Sequence, residues 1–481
     1  MRYKFLLHNL SILMIFLGIS MLFPLVVAAI YEEDDILTFA GSFFICVAIG
    51  AGGYLLTKGS KKEIGPRDGF AIVAIGWIVL AFFGSLPYLF SGSLHSLADA
   101  YFESVSGFTT TGSTVVTNVE QLSYSILFWR SLTQWLGGMG IILLSIAILP
   151  LLGVGGMQLY KAEVPGPVTD KLKPRIGETA KLLWKVYILF TLLEFIFLKI
   201  GGMGVFDALC HSFTTMATGG FSTKNISVEA YGSAYIEGVI TVFMLMAGIN
   251  FALHYQLLKG KIKTMIKDNE FIFYIIIIAV SIIVLLINLM ITGGYSFVGA
   301  FRYSSFQILS ILTTTGYSSV DFEQWSHFSQ YFLLLIMFMG GCAGSTAGGI
   351  KCLRIFLLFK QGYRELYRLI HPRAVVHVKF NNTKVSSEVM DSIWGFFFLF
   401  MVIFVLASLI MSMLGMDILS SISSVIACLS NIGPGFGTVG PYDNFAHIPS
   451  LGKWVLSLCM LLGRLEIYTL LILLVPEYWN K

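Results

Sequence analysis

The sequence predicts an all-α polytopic membrane protein, and three observations support this fold class. Of 481 residues, 56% are hydrophobic and only 12% are charged, whereas a soluble domain carries about 25% charged residues. Uncharged runs such as Phe271 to Ile291 and Ile393 to Met413 are long enough to cross a bilayer. The basic residues lie between such runs, in a few clusters. Lipid is therefore the expected solvent for most of the surface.

Two hydrophobic stretches open the chain, within residues 1–68. The first, Phe5 to Ile30, lacks a small-residue cleavage site and leads directly into the acidic segment Glu32–Asp35. This arrangement predicts a retained transmembrane helix and not a cleaved signal peptide. The sequence thus predicts two leading transmembrane helices before the rest of the chain.

The positions of the basic residues predict the orientation of the chain. Most of the 31 Lys and Arg residues fall at Arg2 and Lys4, Lys58–Arg67, Lys161–Lys185, Lys259–Lys267, Lys351–Lys384 and Lys481. Because positively charged loops stay on the cytoplasmic side, we expect both termini and these four loops to be cytoplasmic. The segments around 91–122, 201–232, 292–327 and 417–450 are then external. The net charge of +4 reflects this topology and not a nucleic-acid site.

Four similar units follow the leading helices, at about 69–165, 166–265, 266–385 and 386–481. Each unit has an apolar span, a shorter external segment rich in Thr, Ser and Gly, and a second span that returns to a basic loop. Aligning the external segments places four glycines in register, which are Gly112, Gly220, Gly316 and Gly435. Internal repeats of this kind are common in transport proteins. A single glycine is weak evidence, because glycine also serves turns and close helix contacts.

The external segments have the composition of re-entrant loops. Non-helical backbone at membrane depth is tolerated only where it is buried in protein or lines water. Glycine permits positive φ, so that successive carbonyl groups can point the same way. Four such loops around one axis provide rings of carbonyl oxygens that can replace the water shell of a monovalent cation. The aligned positions contain no carboxylate, which disfavours a calcium-type filter.

At these residues the sequence resembles the Trk/Ktr/HKT superfamily of potassium transporters, and in particular its TrkH-type membrane subunits, along essentially the whole chain. The resemblance implies four helix–pore-loop–helix repeats around one pore, with one filter glycine from each repeat and potassium as the bound ion. Carried over, the filter comprises Thr110, Thr111, Gly112, Thr218, Gly219, Gly220, Thr314, Thr315, Gly316, Gly433, Pro434 and Gly435. The implied potassium ligands are the backbone carbonyls of Thr111, Gly112, Gly219, Gly220, Thr315, Gly316, Pro434 and Gly435. Some relatives with Ser at the first glycine favour sodium, so Gly112 points to potassium. Because Pro434 has no N–H and a fixed φ, we expect imperfect four-fold symmetry at the fourth segment.

A second feature of the resemblance is a glycine-rich stretch in the returning span of the third unit. Several glycines destabilise a helix by about 1 kcal/mol each relative to alanine, so we expect a broken helix with a mobile loop. The resemblance implies that this is an intramembrane gate below the filter, formed by Gly340, Gly341, Gly344, Ser345, Thr346, Gly348, Gly349 and Lys351. Tight small-residue helix packing is the alternative.

Arg464 lies inside the last span, where an unpaired Arg costs on the order of 3 kcal/mol or more. A local pair with Glu466 is one interpretation, although residues two apart lie on different sides of a helix. The resemblance instead places Arg464 under the filter beside the gate, where a positive charge raises the barrier to cations. For Lys351, a similar role and extension of its side chain to the membrane interface both remain open.

Two other functions compete with a gated potassium pore. A secondary cation or solute symporter predicts inverted repeats, whereas the four units all re-enter from outside; a sodium-permeable cation transporter is a variant of this alternative. An intramembrane enzyme needs a nucleophile–base or Asp pair within the spans, and the sequence offers none. The six cysteines lack a CxxC pair, which disfavours zinc and disulfides.

The expected surroundings of the protein follow partly from composition and partly from the resemblance. Membrane lipid follows from the spans, and nucleotide-binding motifs are absent from the chain. The resemblance implies a homodimer in the bacterial cytoplasmic (inner) membrane, bound to a cytosolic TrkA-type nucleotide-binding subunit. The basic loops Lys161–Lys185, Lys259–Lys267 and Lys351–Lys384 are the expected contact surface for that subunit.

Overall fold

The structure, a computed structural model, describes residues 3–59, 66–147, 172–381 and 383–479. Within these ranges the chain is helical apart from loops and one hairpin. Its α-helices are α1 Tyr3–Ser20, α2 Leu22–Ile30, α3 Ile36–Leu56, α4 Pro66–Gly84, α5 Leu86–Phe90, α6 Leu97–Phe108, α7 Tyr124–Ala147, α8 Leu172–Ile200, α9 Val205–Met216, α10 Ala234–Ala247, α11 Phe251–Leu258, α12 Ile262–Ile266, α13 Asn269–Thr292, α14 Phe297–Leu312, α15 His327–Ile336, α16 Cys352–Ile370, α17 Ser387–Met413, α18 Ile418–Leu429, α19 Ser450–Arg464, α20 Tyr468–Leu471 and α21 Pro476–Trp479. Short 3-10 helices and the antiparallel hairpin complete the list, at Val119–Gln121, Ser227–Tyr231, Phe322–Gln324, Gly437–Val439, Ile472–Leu474, β1 Lys379–Phe380 and β2 Thr383–Lys384.

The two leading spans pack closely through small residues. The first, α1 with α2, runs from Tyr3 to Ile30, and α3 forms the second. A methyl group added to Gly50 would lie 2.9 Å from the carbonyl oxygen of Ser11, and one on Gly53 would lie 2.3 Å from the Ser11 hydroxyl oxygen. Glycine therefore allows the two helix backbones to approach each other, as in other membrane helix pairs.

The rest of the described chain repeats one arrangement four times: a long helix, a short helix and a returning helix. The short helices are α6, α9, α14 and α18. Within the described ranges, five helices are long and apolar enough to cross a membrane, at Tyr3–Ile30, Ile36–Leu56, Asp68–Phe90, Asn269–Thr292 and Ser387–Met413, and two bent helix pairs raise this number to seven. The predicted all-α polytopic fold, with two leading helices and four repeats, is confirmed.

The exact repeat boundaries and the sidedness of the termini remain predictions. The predicted boundary at residues 165 and 166 lies outside the described residues. The same holds for Arg2, Lys481 and parts of the clusters Lys58–Arg67 and Lys161–Lys185. All six cysteines are buried, as expected for small apolar residues.

Three of the four returning helices are broken. In the third repeat, residues 337–351 separate α15 from α16, and this break was predicted. In the second repeat the chain bends by 101° between α10 and α11, where the Asn250 side chain caps α11. In the fourth repeat it bends by 111° after Arg464, where Glu466 and Ile467 have positive φ. The sequence did not predict the last two breaks, whereas α7 of the first repeat is continuous over its described residues, Tyr124–Ala147.

Candidate functional site

The four short helices end in the same backbone turn. In each, the second residue after the helix has a left-handed conformation, at Thr110, Thr218, Thr314 and Asn431. The N–H of the third residue donates to a carbonyl five residues back, from Thr111 to Ser106, Gly219 to Thr214, Thr315 to Ser310 and Ile432 to Ala427, at 2.8–2.9 Å. The fourth residue is a glycine with positive φ, namely Gly112, Gly220, Gly316 and Gly433. The four segments therefore share one conformation.

These turns meet in a closed ring. A methyl group added to each glycine would collide with a carbonyl oxygen of the next repeat, from Gly112 to Gly219 at 2.2 Å, Gly220 to Thr315 at 1.9 Å, Gly316 to Ile432 at 1.7 Å and Gly433 to Thr111 at 2.8 Å. The contacts run from repeat one to two, three, four and back to one. We call these four glycines, together with the one residue directly before each of them, the carbonyl ring. The preceding residues are Thr111, Gly219, Thr315 and Ile432. Only glycine fits the four glycine positions of the ring, because both the close contact and the positive φ exclude a side chain.

The alignment that placed Gly435 in register was wrong, because Gly433 occupies the equivalent position. Gly435 lacks the left-handed conformation, and its N–H donates to the carbonyl of Val439 at 2.7 Å. The structure sets the register by distance from the end of the short helix, and four residues after Leu429 is Gly433. Pro434 therefore follows the ring glycine and is not one of the residues before it. Asn431 and Ile432, which were not predicted from the sequence, hold those places.

The expected break of symmetry at the fourth segment does not affect the backbone, which keeps the common turn. It affects the side chains. In repeats one and three the Thr109–Thr111 hydroxyls lie 2.7 Å apart and the Thr313–Thr315 hydroxyls 2.8 Å apart. In repeat four the Asn431 amide donates instead to Thr111 Oγ1 at 2.9 Å and to the carbonyl of Met460 at 3.0 Å.

The short helices direct their C-terminal ends toward the ring. Side chains cap the opposite ends of three of them, with Ser96, Ser296 and Asp417 accepting hydrogen bonds from backbone N–H groups. A helix carries partial negative charge at its C-terminus. The four ends therefore favour a cation near the ring without a fixed carboxylate.

A cavity opens on the side of the ring that carries the N-terminal ends of the short helices. All four ring glycines line it, including Gly433, whereas Gly435 does not. Beside it, Glu323 accepts a hydrogen bond from the N–H of Gly437 at 2.6 Å, which joins the third repeat to the fourth. Burial raises the pKa of the Glu323 carboxyl above its ordinary value, and this hydrogen bond partly opposes the rise.

The glycine-rich loop, residues 337–351, lies against the opposite side of the ring. Thr346 Oγ1 donates to the carbonyl of Met216 at 3.0 Å, at the end of α9. The N–H of Gly348 donates to Thr314 Oγ1 at 2.6 Å, and a methyl group on Gly348 would lie 2.4 Å from the carbonyl oxygen of Ser430. The loop thus contacts the inner ends of the short helices of repeats two, three and four.

The other predicted gate residues shape the loop itself. The N–H of Gly340 donates to the carbonyl of Ile350 at 2.9 Å, which brings the two ends together. Gly344 and Gly349 have φ of 75° and 65°. The hydroxyl of Ser345 donates to the carbonyl of Cys342 at 2.6 Å. Gly341 packs against Gly248, whose carbonyl oxygen a methyl group would approach to 2.8 Å. Small-residue helix packing, the alternative for this stretch, is excluded because the helix is absent here.

Two buried cations lie beside this loop. Arg464 Nη1 donates to the carbonyl of Thr346 at 2.7 Å, and Glu466 pairs with Arg354, so the local Arg464–Glu466 pair is not formed. The Lys351 ammonium donates to the carbonyl of Ala347, and the residue is only 8% exposed. Its side chain therefore does not extend to the membrane interface.

Comparison with known proteins agrees with this architecture. A family described as TrkH, cation transport protein, matches residues 36–481. The chain belongs to the TrkH family. Two relatives named "Trk system potassium uptake protein TrkH" are 42% identical in Salmonella typhimurium and 43% identical in Vibrio parahaemolyticus, over 100% of both chains. A crystal structure of the potassium transporter TrkH from Vibrio parahaemolyticus matches with a TM-score of 0.93 and 41% identity, over 100% of both chains.

In this TrkH-family chain, several residues at the site were not found from sequence. Gln134 and Glu270 hydrogen-bond the backbone of the ring and of the loop. Both are polar residues in largely apolar helices, and that signal was available, because polar residues in such helices of a membrane protein are functional candidates. Among the described residues, no three His, Cys, Asp or Glu side chains cluster as ligands for a metal ion.

Proposed function

We propose that this chain takes up potassium across the bacterial cytoplasmic membrane through the carbonyl ring. The observation that carries the proposal is the ring itself, with four backbone segments in one conformation and in cyclic contact. Backbone carbonyls held in this way can replace the hydration shell of a dehydrated cation. Relatives that match the whole chain are named potassium uptake proteins, which supports potassium as the transported ion.

In this proposal the ion passes between the segments Thr110–Gly112, Thr218–Gly220, Thr314–Gly316 and Asn431–Gly433. The last segment replaces the Gly433, Pro434 and Gly435 set that the sequence predicted. Potassium is the substrate, and the carbonyl oxygens of these segments are its transient ligands. The absence of a carboxylate among these residues favours a monovalent over a divalent ion.

The glycine-rich loop is the proposed gate. It lies across the inner ends of three short helices, where it obstructs the path on that side of the ring. Arg464 holds the loop through the Thr346 carbonyl, and its buried positive charge opposes the passage of a cation. Because the loop contains left-handed glycines and no helix, it can move without unfolding a regular element.

Regulation by a cytosolic nucleotide-binding subunit, and assembly as a homodimer, are part of the same proposal. The loop from Lys259 to Lys267 is exposed and carries several lysines, which suits an acidic partner surface. The sidedness of this loop follows from the positive-inside rule. Accessibility of a cysteine placed at Lys263 to a membrane-impermeant reagent would test it, since labelling from outside intact cells would reverse the orientation.

The experiment that tests the function is rescue of growth at low potassium in a bacterial strain without its own potassium uptake systems. The wild-type chain should restore growth, and purified chain in proteoliposomes should carry rubidium or potassium. Gly316→Ala is the negative control, because its methyl group would lie 1.7 Å from the carbonyl oxygen of Ile432. Failure of the wild-type chain to support either process, when it is present in the membrane, would overturn the proposal. Equal sodium and potassium flux would favour the sodium-permeable alternative.

A further inference from the structure

One buried side chain of the first repeat binds the ring backbone of the second. Gln134 lies on α7 and is fully buried. Its Nε2 donates to the carbonyl oxygen of Gly219 at 2.7 Å, and its Oε1 accepts from the N–H of Phe221 at 3.1 Å. These two bonds hold the backbone on both sides of Gly220. A single carboxamide therefore fixes one quarter of the carbonyl ring.

This contact is specific to the second repeat. The residues equivalent to Gly219 are Thr111, Thr315 and Ile432, and in the described part of the chain no side chain donates a hydrogen bond to their carbonyl oxygens. The same contact explains why residue 219 is a glycine. A methyl group there would lie 2.4 Å from Cδ of Gln134, so the carboxamide fills the space that a side chain occupies in the other repeats.

A second side chain one turn earlier on α7 holds the same segment. Arg130 and Gln134 are four residues apart and therefore share a helix face. The Arg130 guanidinium donates to the carbonyl of Ser222 at 3.3 Å and lies over the ring of Phe221, 4.1 Å from its centroid. Arg130 is itself fixed by Glu103, at 2.8 Å. Arg130 and Gln134, on one face of α7, thus both contact the segment 219–222.

We propose that Gln134 is a positioning residue that sets the discrimination of the ring between potassium and sodium. The inference rests on the proposed function. A ring that discriminates by the spacing and number of its carbonyl ligands loses discrimination when one of them is free to move toward a smaller ion. Gln134 restrains the Gly219 carbonyl directly and fixes Phe221 as well, so its loss frees one of the four carbonyls that precede the ring glycines.

The test is the ratio of sodium to potassium flux in proteoliposomes that contain equal amounts of folded chain. Gln134→Leu removes both hydrogen bonds and keeps an apolar side chain of similar length. We expect the ratio to rise about five- to tenfold, the change that corresponds to one net hydrogen bond. Gln307→Leu is the matched control, since Gln307 is a fully buried glutamine on α14 whose amide atoms have no partner in the described structure. Its flux ratio should stay at the wild-type value.

A paired experiment separates positioning from general damage to the fold. Gly219→Thr should impair flux because the new side chain meets Gln134, and Gln134→Ala should partly restore it by clearing the space. Equal impairment of Gly219→Thr with and without Gln134→Ala would overturn the inference, as would an unchanged ratio in Gln134→Leu. Failure of both Gln134 variants to fold, with Gln307→Leu folded, would assign Gln134 to fold stability and overturn it too. Loss of potassium flux in the wild-type chain would instead contradict the proposed function.

Discussion

Glu270 connects the start of α13 to the middle of the glycine-rich loop and to the first turn of α16, which follows the loop. Its Oε1 accepts hydrogen bonds from the N–H of Ala343 at 2.6 Å and from the N–H of Leu353 at 3.1 Å. The residue is only 5% exposed, so water cannot readily replace it. We expect Glu270→Ala to weaken the closed position of the loop and to raise ion flux.

The size of the effect follows from the two donors. An unsatisfied buried N–H costs about 1–3 kcal/mol, so two of them cost about 2–6 kcal/mol in total. Each 1.4 kcal/mol changes an equilibrium constant by about tenfold. The open population should therefore rise by at least about tenfold if the open loop exposes these N–H groups to water. Glu270→Gln is the matched control, because a carboxamide oxygen can accept both hydrogen bonds in the same place.

The assay is rubidium influx into proteoliposomes with matched protein density, together with hydrogen exchange of the loop amides. Glu270→Ala should increase both the influx and the exchange rates of Ala343 and Leu353, and Glu270→Gln should leave both near the wild-type values. Unchanged influx in a folded Glu270→Ala protein would refute the reasoning. Equal effects of the two substitutions would also refute it, because the acceptor oxygen would then be irrelevant.

Three further predictions concern the ring and the gate. Gly433→Ala should abolish selective flux, since a left-handed residue with a Cβ costs about 1–2 kcal/mol and the methyl would lie 2.8 Å from the carbonyl oxygen of Thr111. Gly435→Ala should reduce selective flux less. A larger loss of selective flux in Gly435→Ala than in Gly433→Ala would restore the sequence-based register. Gly112→Ser should raise the ratio of sodium to potassium flux, and an unchanged ratio would count against the ring as the filter. Arg464→Ala should raise conductance in single-channel or influx measurements, with Arg464→Lys closer to wild type; lower conductance would reverse the role assigned to this charge.

Composition and repetition were sufficient to predict the fold. The spans are apolar over lengths set by the bilayer, and the first three repeats carry a similar Thr/Gly pattern, so both features are local in sequence. The break in the third returning helix was also local, because several glycines stand together. The bends after Ala247 and after Arg464 were not predictable in this way. Glu466 and Ile467 are ordinary residues with positive φ, a conformation that tertiary contacts impose.

The error at the fourth segment has a simple physical origin. The alignment matched residue types and placed the last glycine of Gly433-Pro434-Gly435 opposite Gly112, Gly220 and Gly316 of the other repeats. The fold instead counts residues from the end of the short helix, because the N–H of the third residue must donate to the carbonyl five positions back. Asn431 satisfies the left-handed position because asparagine tolerates this conformation better than most residues. Backbone hydrogen bonding, and not side-chain similarity, therefore sets the register.

The ring and the loop are mechanically connected, and the connections differ between repeats. In the third repeat Thr314, a left-handed residue next to the ring, accepts a hydrogen bond from the loop at Gly348. In the fourth, Asn431 lies against Gly348 and also donates to Thr111 of the first. In the second, Gln134 holds Gly219 from the side away from the loop. In the proposed gating, movement of the loop removes these contacts from the third and fourth quarters of the ring and the Thr346–Met216 hydrogen bond from the second repeat, where Gln134 still holds Gly219. The proposed gate and filter therefore share residues in a ring whose backbone is otherwise four-fold.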